Sequence, residues 1–258
     1  MEFLKSEKLK NKNIWADLLK GKFVLYNNSL FFLYMSGYGE LTLLELENGG
    51  IKNKYVFFES LKSLNIPSKW VVDGCNKIAV ADGICVDLQT KSMVNHVCEG
   101  KAERHKTAYE FGDYSVLYNE SYKYTCKKND KTLWNIVVRG YLYTGIQKYE
   151  NNLIFGTDGM GGHFCIVDIE NGEIKLNINT GGTNQFCIRN DNAYLLNVKK
   201  NTALCISLRD YVIIDEVKLD GKTAFESSLY VFDDILYVST FKNKNEYTLI
   251  SSYKTGSN

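Results

Sequence analysis

A short turn built on Asn or Asp returns along this chain at Asn28, Asn76, Asp113, Asn152, Asn192 and Asp234, at intervals of 48, 37, 39, 40 and 42 residues. Each turn leads into an aromatic or aliphatic run. Asn and Asp tolerate the left-handed backbone of a tight hairpin, so the recurrence has a conformational cause. A hairpin in every unit of about 40 residues restricts the chain to a repeat architecture made of strands. The unit is most legible from Asn151 to Asn179. There a strand (Leu153 to Thr157) meets a glycine-rich loop (Asp158 to Gly162). A second strand (Phe164 to Ile169), a Glu-Asn-Gly turn and a third strand (Glu173 to Asn179) follow.

The other units repeat this order. Strands flank the turns at Phe23 to Tyr26 and Leu30 to Met35, at Phe186 to Ile188 and Ala193 to Val198, and at Leu229 to Phe232 and Leu236 to Thr240. Outer strands are expected at Lys54 to Phe57, Met93 to Cys98, Leu133 to Val138, Ile174 to Asn179 and Tyr211 to Lys218. Four strands in about 40 residues is the content of one β-propeller blade. The expected fold is therefore all-β: a six-bladed β-propeller of four-stranded antiparallel blades, with residues 1–258 forming one domain. Composition agrees, since aromatic residues reach 13% and Pro67 is the single proline, and strands accept aromatics and exclude proline.

Two places depart from the period. The long first interval contains Phe57, Phe58, Leu61 and Leu64 at helical spacing before Pro67, which predicts a short helical insertion over 57–69. The last unit lacks an outer strand, while Asn13 to Leu18 is a surplus one near the start. This predicts that residues 13–19 pair with 247–253, complete the C-terminal blade and close the ring, which removes exposed sheet edges.

Lys+Arg 31 against Asp+Glu 30 leaves a net charge of +1, so neither nucleic acid nor an anionic membrane is an expected partner. The N-terminal stretch is interrupted by charges, and the longest apolar run, Leu30 to Met35, is far short of a membrane span. The seven cysteines are scattered without a Cys-x-x-Cys pair. Cys85, Cys165 and Cys205 fall at nearly equivalent places in third strands, which suits small buried hydrophobes in a reducing compartment. The expected location is the cytoplasm.

Phe155-Gly156-Thr157-Asp158-Gly159, then Ile166-Val167-Asp168 and Asn171-Gly172-Glu173, form a pattern of strand, turn and strand. Trp134 follows Asp130-Lys131-Thr132-Leu133, and Trp15 is a second candidate for the same role. This pattern resembles the repeat of quinoprotein-dehydrogenase-like (PQQ-type) β-propellers, over about 45 residues. The resemblance implies the fold and not the chemistry. The quinone-binding enzymes of that type are much larger and carry an adjacent disulfide and calcium ligands that have no counterpart here, so no cofactor is carried over.

The loops that share one face of a propeller are where residues able to carry function are expected. Gly159-Met160-Gly161-Gly162 superficially resembles a phosphate loop but lacks the Gly-Lys-Ser/Thr ending and a following helix. His96, His105 and His163 lack metal spacing, and no Gly-x-Ser-x-Gly occurs. No metal, cofactor or catalytic residue is expected. The most informative stretch is Arg139 to Gly145, with one of four arginines and two tyrosines, Tyr141 and Tyr143. Arg and Tyr are enriched at binding hot spots; equally, the tyrosines fit the start of an inner strand. Tyr38, Arg104, His105, Tyr122, Asp158 and His163 extend the candidate surface. The expected function is a non-catalytic, monomeric, protein-binding propeller, one version being an immunity or antidote protein that blocks a toxin. The alternative is a small propeller enzyme, a lyase or hydrolase, with its site at the propeller axis.

Overall fold

The computed structural model describes residues 1–11, 21–37, 40–58, 72–73, 76–81, 84–95, 107–119, 122–159, 161–183, 185–223, 227–243 and 246–256. No helix occurs among them. They form six antiparallel sheets of four strands each. The chain divides into two compact units, Met1–Ala102 with Leu219–Asn258, and Glu103–Lys218.

In the first unit, β1 (Glu2–Lys10) is followed by a sheet of β2 (Gly21–Tyr26), β3 (Ser29–Gly37), β4 (Glu40–Glu47) and β5 (Gly50–Phe58). A second sheet holds β6 (Val72–Asp73), β7 (Lys77–Ala81), β8 (Ile84–Asp87) and β9 (Ser92–Asn95). The second unit holds three sheets. These are β10 (Ala108–Phe111) with β11 (Tyr114–Tyr118), β12 (Lys123–Lys128) and β13 (Lys131–Val137); β14 (Tyr141–Tyr149) with β15 (Asn152–Asp158), β16 (His163–Asp168) and β17 (Ile174–Asn179); and β18 (Phe186–Arg189) with β19 (Asn192–Asn197), β20 (Thr202–Ser207) and β21 (Val212–Lys218). The sixth sheet, back in the first unit, runs β22 (Leu229–Phe232), β23 (Ile235–Lys242), β24 (Tyr247–Lys254) and β1.

The hairpins form where the turn residues demand them. Asn27–Asn28, Asn190–Asp191 and Asp233–Asp234 each place two consecutive residues at φ between 45° and 59°. That pair of left-handed residues matches the twist of the flanking strands. The strands between them bury their second and third members almost completely: Leu30, Leu43, Leu44, Cys85, Cys165, Ile166, Leu195 and Leu204 are fully enclosed. Burial pushes the Cys165 thiol up to about 12, which keeps it protonated and inert. The reading of Cys85, Cys165 and Cys205 as buried hydrophobes holds.

The N-terminal strand does complete the sixth sheet, but it is a different strand. β24 pairs with Glu2–Lys10, and residues 13–19 lie outside the described residues. The helical insertion is corrected at its start, because Phe57 and Phe58 belong to β5; the rest of it, and Trp15, lie outside the described residues.

Five of the six outer strands share one irregularity. In β5, β13, β17, β21 and β1 the ladder to the neighbouring strand skips one residue: Lys52, Leu133, Lys175, Ile214 and Leu4 respectively. Each skip is a β-bulge, which bends the strand and increases its twist.

Within each unit, neighbouring sheets are joined by side chains that reach the next sheet's turn. Trp134 of β13 donates its indole N–H to the Ile169 carbonyl at 2.8 Å. Tyr237 accepts from the Gly49 amide at 3.0 Å, and Ser252 donates to the Gly49 carbonyl at 2.7 Å. Tyr149 donates to Asp191, which also accepts from Arg209.

The Tyr149 hydroxyl, and then Arg209, hold the Asp191 carboxyl below its ordinary range. A lowered folded value means a contribution present above the unfolded pKa of about 3.9 and lost as pH falls through the folded one. Asp191→Asn should therefore be less stable than wild type at pH 7, and the gap should close as pH falls below the unfolded value of about 3.9 and through the lower folded one. Urea midpoints measured across that range decide it, and a gap that persists unchanged to the acid end counts against the assignment.

Candidate functional site

Six of the residues singled out in sequence, Tyr122, Arg139, Tyr141, Tyr143, Asp158 and His163, lie at one end of the strands of the Glu103–Lys218 unit. Antiparallel register places Tyr141 opposite Asp158 and His163 opposite Asn179. Residues 141–144, which fit a loop or the start of an inner strand equally, lie in β14, although its pairing with β15 is interrupted between Leu142 and Ile146. Tyr143 sits in that interruption, half-buried, while Arg139 and Tyr141 are exposed.

A buried threonine holds these pieces together. Thr157, fully enclosed, donates its hydroxyl to the Arg139 carbonyl at 2.9 Å and accepts from the His163 amide at 2.8 Å. Its own carbonyl accepts from the Thr183 amide at 3.0 Å. The hydroxyl thereby fixes the entry to β14 and the start of β16, and the carbonyl of the same residue fixes the loop after β17. Nothing in the sequence marks it, since threonine is an ordinary strand residue.

The two glycine loops lock against each other. A Cβ at Gly162, whose φ is +45°, would lie 2.3 Å from the Gly182 nitrogen. Only glycine, which has no Cβ, permits that approach. The Gly162 amide closes its own loop on Gly159, and the Gly181 amide bonds to Gly161, so both donors serve the loops rather than a bound phosphate. Asp158 reaches towards Gly182, where a Cβ would meet its Oδ1 at 2.7 Å. His163 pairs through Nδ1 with Asn177 Oδ1 at 2.6 Å.

Tyr122 is the least expected member. It ends the connection between β11 and β12 at φ +62°, a left-handed conformation that a bulky side chain adopts only when its surroundings impose it. Its amide donates to Asn119 and its carbonyl accepts from Val138. Its ring meets Tyr141 edge-on, with centroids 5.3 Å apart at 72°. The hydrogen bond to Tyr141 holds the Tyr122 phenol above its ordinary value. Tyr118, which sequence reasoning passed over, accepts from the Leu142 amide at 3.1 Å and ties β14 to the preceding sheet.

Tyr122, Arg139, Tyr141, Tyr143, Asp158 and His163 thus belong to one neighbourhood. Tyr38, Arg104 and His105 lie outside the described residues. Among the described residues no group of three His, Cys, Asp or Glu side chains is placed to hold a metal ion.

No family model matches the chain, and no curated protein matches it in sequence. Among solved structures it is similar to the dihydro-heme d1 dehydrogenase NirN in complex with DHE, at 11% identity and a TM-score of 0.50, covering 93% of this chain and 67% of that one. The fold is that of the β-propellers. BamB from Moraxella catarrhalis is a further similar structure, at 12% identity and a TM-score of 0.41, covering 90% of this chain and 71% of that one. The resemblance to the PQQ-type repeat holds at the level of fold. In all, 824 solved chains match, so this propeller architecture is widely shared and does not by itself select a chemistry.

Proposed function

We propose that this propeller is a non-catalytic protein-binding module and that its contact surface is the tyrosine–arginine edge of the Glu103–Lys218 unit. One observation carries the reading: Tyr141 is 54% exposed yet held in place, its ring packed against Tyr122. A large amphipathic ring already fixed before contact loses little freedom on binding, which is how aromatic anchors contribute most of an interface's energy. Arg139 stands beside it with its backbone clamped by Thr157, so the guanidinium is the adaptable part on a rigid support. The instance we put first is an antidote that occludes a toxin in the cytoplasm as a monomer, a role that needs a preformed surface and no turnover.

The test is affinity capture with the tagged full chain, read by native mass spectrometry. Wild type should hold one stoichiometric partner. Tyr141→Ala with Arg139→Ala should lose at least about tenfold of it, in line with hot-spot truncations of 2 kcal/mol or more, while circular dichroism and melting stay unchanged. Retention of the partner at wild-type level by the double variant, or recovery of no stoichiometric partner at all, overturns the reading.

A further inference from the structure

Resting on the protein-binding reading above, we infer that the partner presents an acidic segment to this edge, with carboxylates on either side of an apolar or aromatic anchor.

The strands of the Glu103–Lys218 unit have two chemically different ends. The end carrying the tight hairpins holds Asp113, Asp130, Glu150, Asp191 and Asp210, and several of its cations are already paired. Lys128 lies 3.6 Å from Glu170, and Arg209 bonds Asp191. At the opposite end, among the described residues, the carboxylates are Asp158 and Glu216, against Lys123, Arg139, Lys199, Lys200 and Lys218. Lys200 lies 3.8 Å from Glu216. Lys123, Arg139 and Lys199 are exposed, and among the described residues none of them makes an ion pair.

These three cations are strung along a continuous line of contacts. Lys123 directly follows Tyr122, whose ring packs on Tyr141. Tyr141 is the register partner of Asp158, one residue past the Thr157 that clamps Arg139. Asp158 abuts Gly182, and a Cβ on Gly181 would sit 3.2 Å from the Lys199 Cβ. The line is therefore cation, tyrosine pair, arginine, then lysine. An apolar anchor set against Tyr141 would have carboxylates within reach of Lys123 on one side and of Arg139 and Lys199 on the other. The guanidinium suits a carboxylate because its planar fork matches two oxygens. Unpaired exposed cations raise encounter rates with such a segment and reject basic ones.

A nucleic acid fits less well. Asp158 stands in the middle of the line, where a regular row of phosphates would meet it. The two tyrosine rings close on each other edge to face, rather than offering parallel faces on which bases stack.

Fluorescence anisotropy with the full chain tests this, using three labelled probes of equal length. One is a peptide of Glu and Leu around a central Trp; the second has Lys in place of each Glu; the third is oligo-dT. The acidic peptide should bind and weaken on the order of tenfold between 50 and 200 mM NaCl. Lys123→Glu with Lys199→Glu should abolish its binding. Tyr141→Ala should weaken it without changing the salt slope. Equal or tighter binding of the Lys peptide or of oligo-dT overturns the inference, as does undiminished binding by the charge-reversed variant. The native partner separates the two levels. If Tyr141→Ala with Arg139→Ala loses that partner while Lys123→Glu with Lys199→Glu keeps it in full, the protein-binding reading stands and the acidic partner falls. If both variants keep it, the edge itself is misplaced.

Discussion

Deleting residues 1–11 should convert the protein from a dispersed species into an aggregating one. β1 lines β24 along nearly its whole length. It adds the buried Leu9, a hydroxyl bond from Ser6 to Ser251 at 3.1 Å, and Asn11, which accepts from Thr248 at 3.1 Å. Burying one Leu side chain contributes about 1.5–3 kcal/mol, a large share of a total stability of about 5–15 kcal/mol. The greater harm lies in what is uncovered. β24 reads YTLISSYK, pairs with β23 without interruption, and would offer a straight, nearly uncharged row of unpaired amides and carbonyls, which is a template for other chains. Light scattering after size exclusion and a thermal melt read the outcome. A synthetic peptide of residues 1–11 added in trans should restore monodispersity. A truncated chain that runs as a stable monomer with an unchanged melting point would remove β1 from this role.

The second large effect is expected at Trp134. Its indole lies over Gly172, where a Cβ would fall 2.7 Å from the ring, and its N–H satisfies the buried Ile169 carbonyl. The contact joins β13 to the turn between β16 and β17, so it couples two sheets of one unit. Trp134→Ala should cost about 3–5 kcal/mol. Trp134→Phe keeps most of the packing and should cost about 1–3 kcal/mol, because the Ile169 carbonyl is left with only the weak Cys126 thiol donor at 3.7 Å. Gly172→Ala, at φ +74°, should destabilise through the same contact from the other side. Denaturant midpoints rank the three, and a Trp134→Ala variant within about 1 kcal/mol of wild type would refute the coupling.

The repeat was legible because its signal is local. Asn27–Asn28, Asn190–Asp191 and Asp233–Asp234 take left-handed backbones that few other residues accept, and the inner strands between them are continuous apolar runs. The N-terminal partner of β24 was not legible, for a physical reason. An outermost strand has one free edge and two wet faces, so Glu2–Lys10 reads EFLKSEKLK and looks like a solvated tail. The more apolar Asn13 to Leu18 attracted the assignment instead. In the third unit the apolar signal is weaker, because its third strand, Lys123–Lys128, is rich in lysine rather than aliphatic. At the candidate edge, the grouping of Arg139, Tyr141, Asp158 and His163 followed from loops expected to share a face. The Thr157 bonds and the imposed backbone of Tyr122 depend on register between distant strands, which no local window contains.

The skipped residues of the outer strands have a consequence for side-chain parity. A strand alternates its faces with a period of two, and one extra residue reverses the phase of everything beyond it. In β13 three exposed residues, Lys131, Thr132 and Leu133, precede the buried Trp134, and only then does alternation resume. β21 opens on the same run of three, Val212 to Ile214. The bulge is thus a phase shifter. Without Leu133 to absorb one step, the indole and its neighbours would trade faces, and the residue that docks on the next sheet would look into solvent.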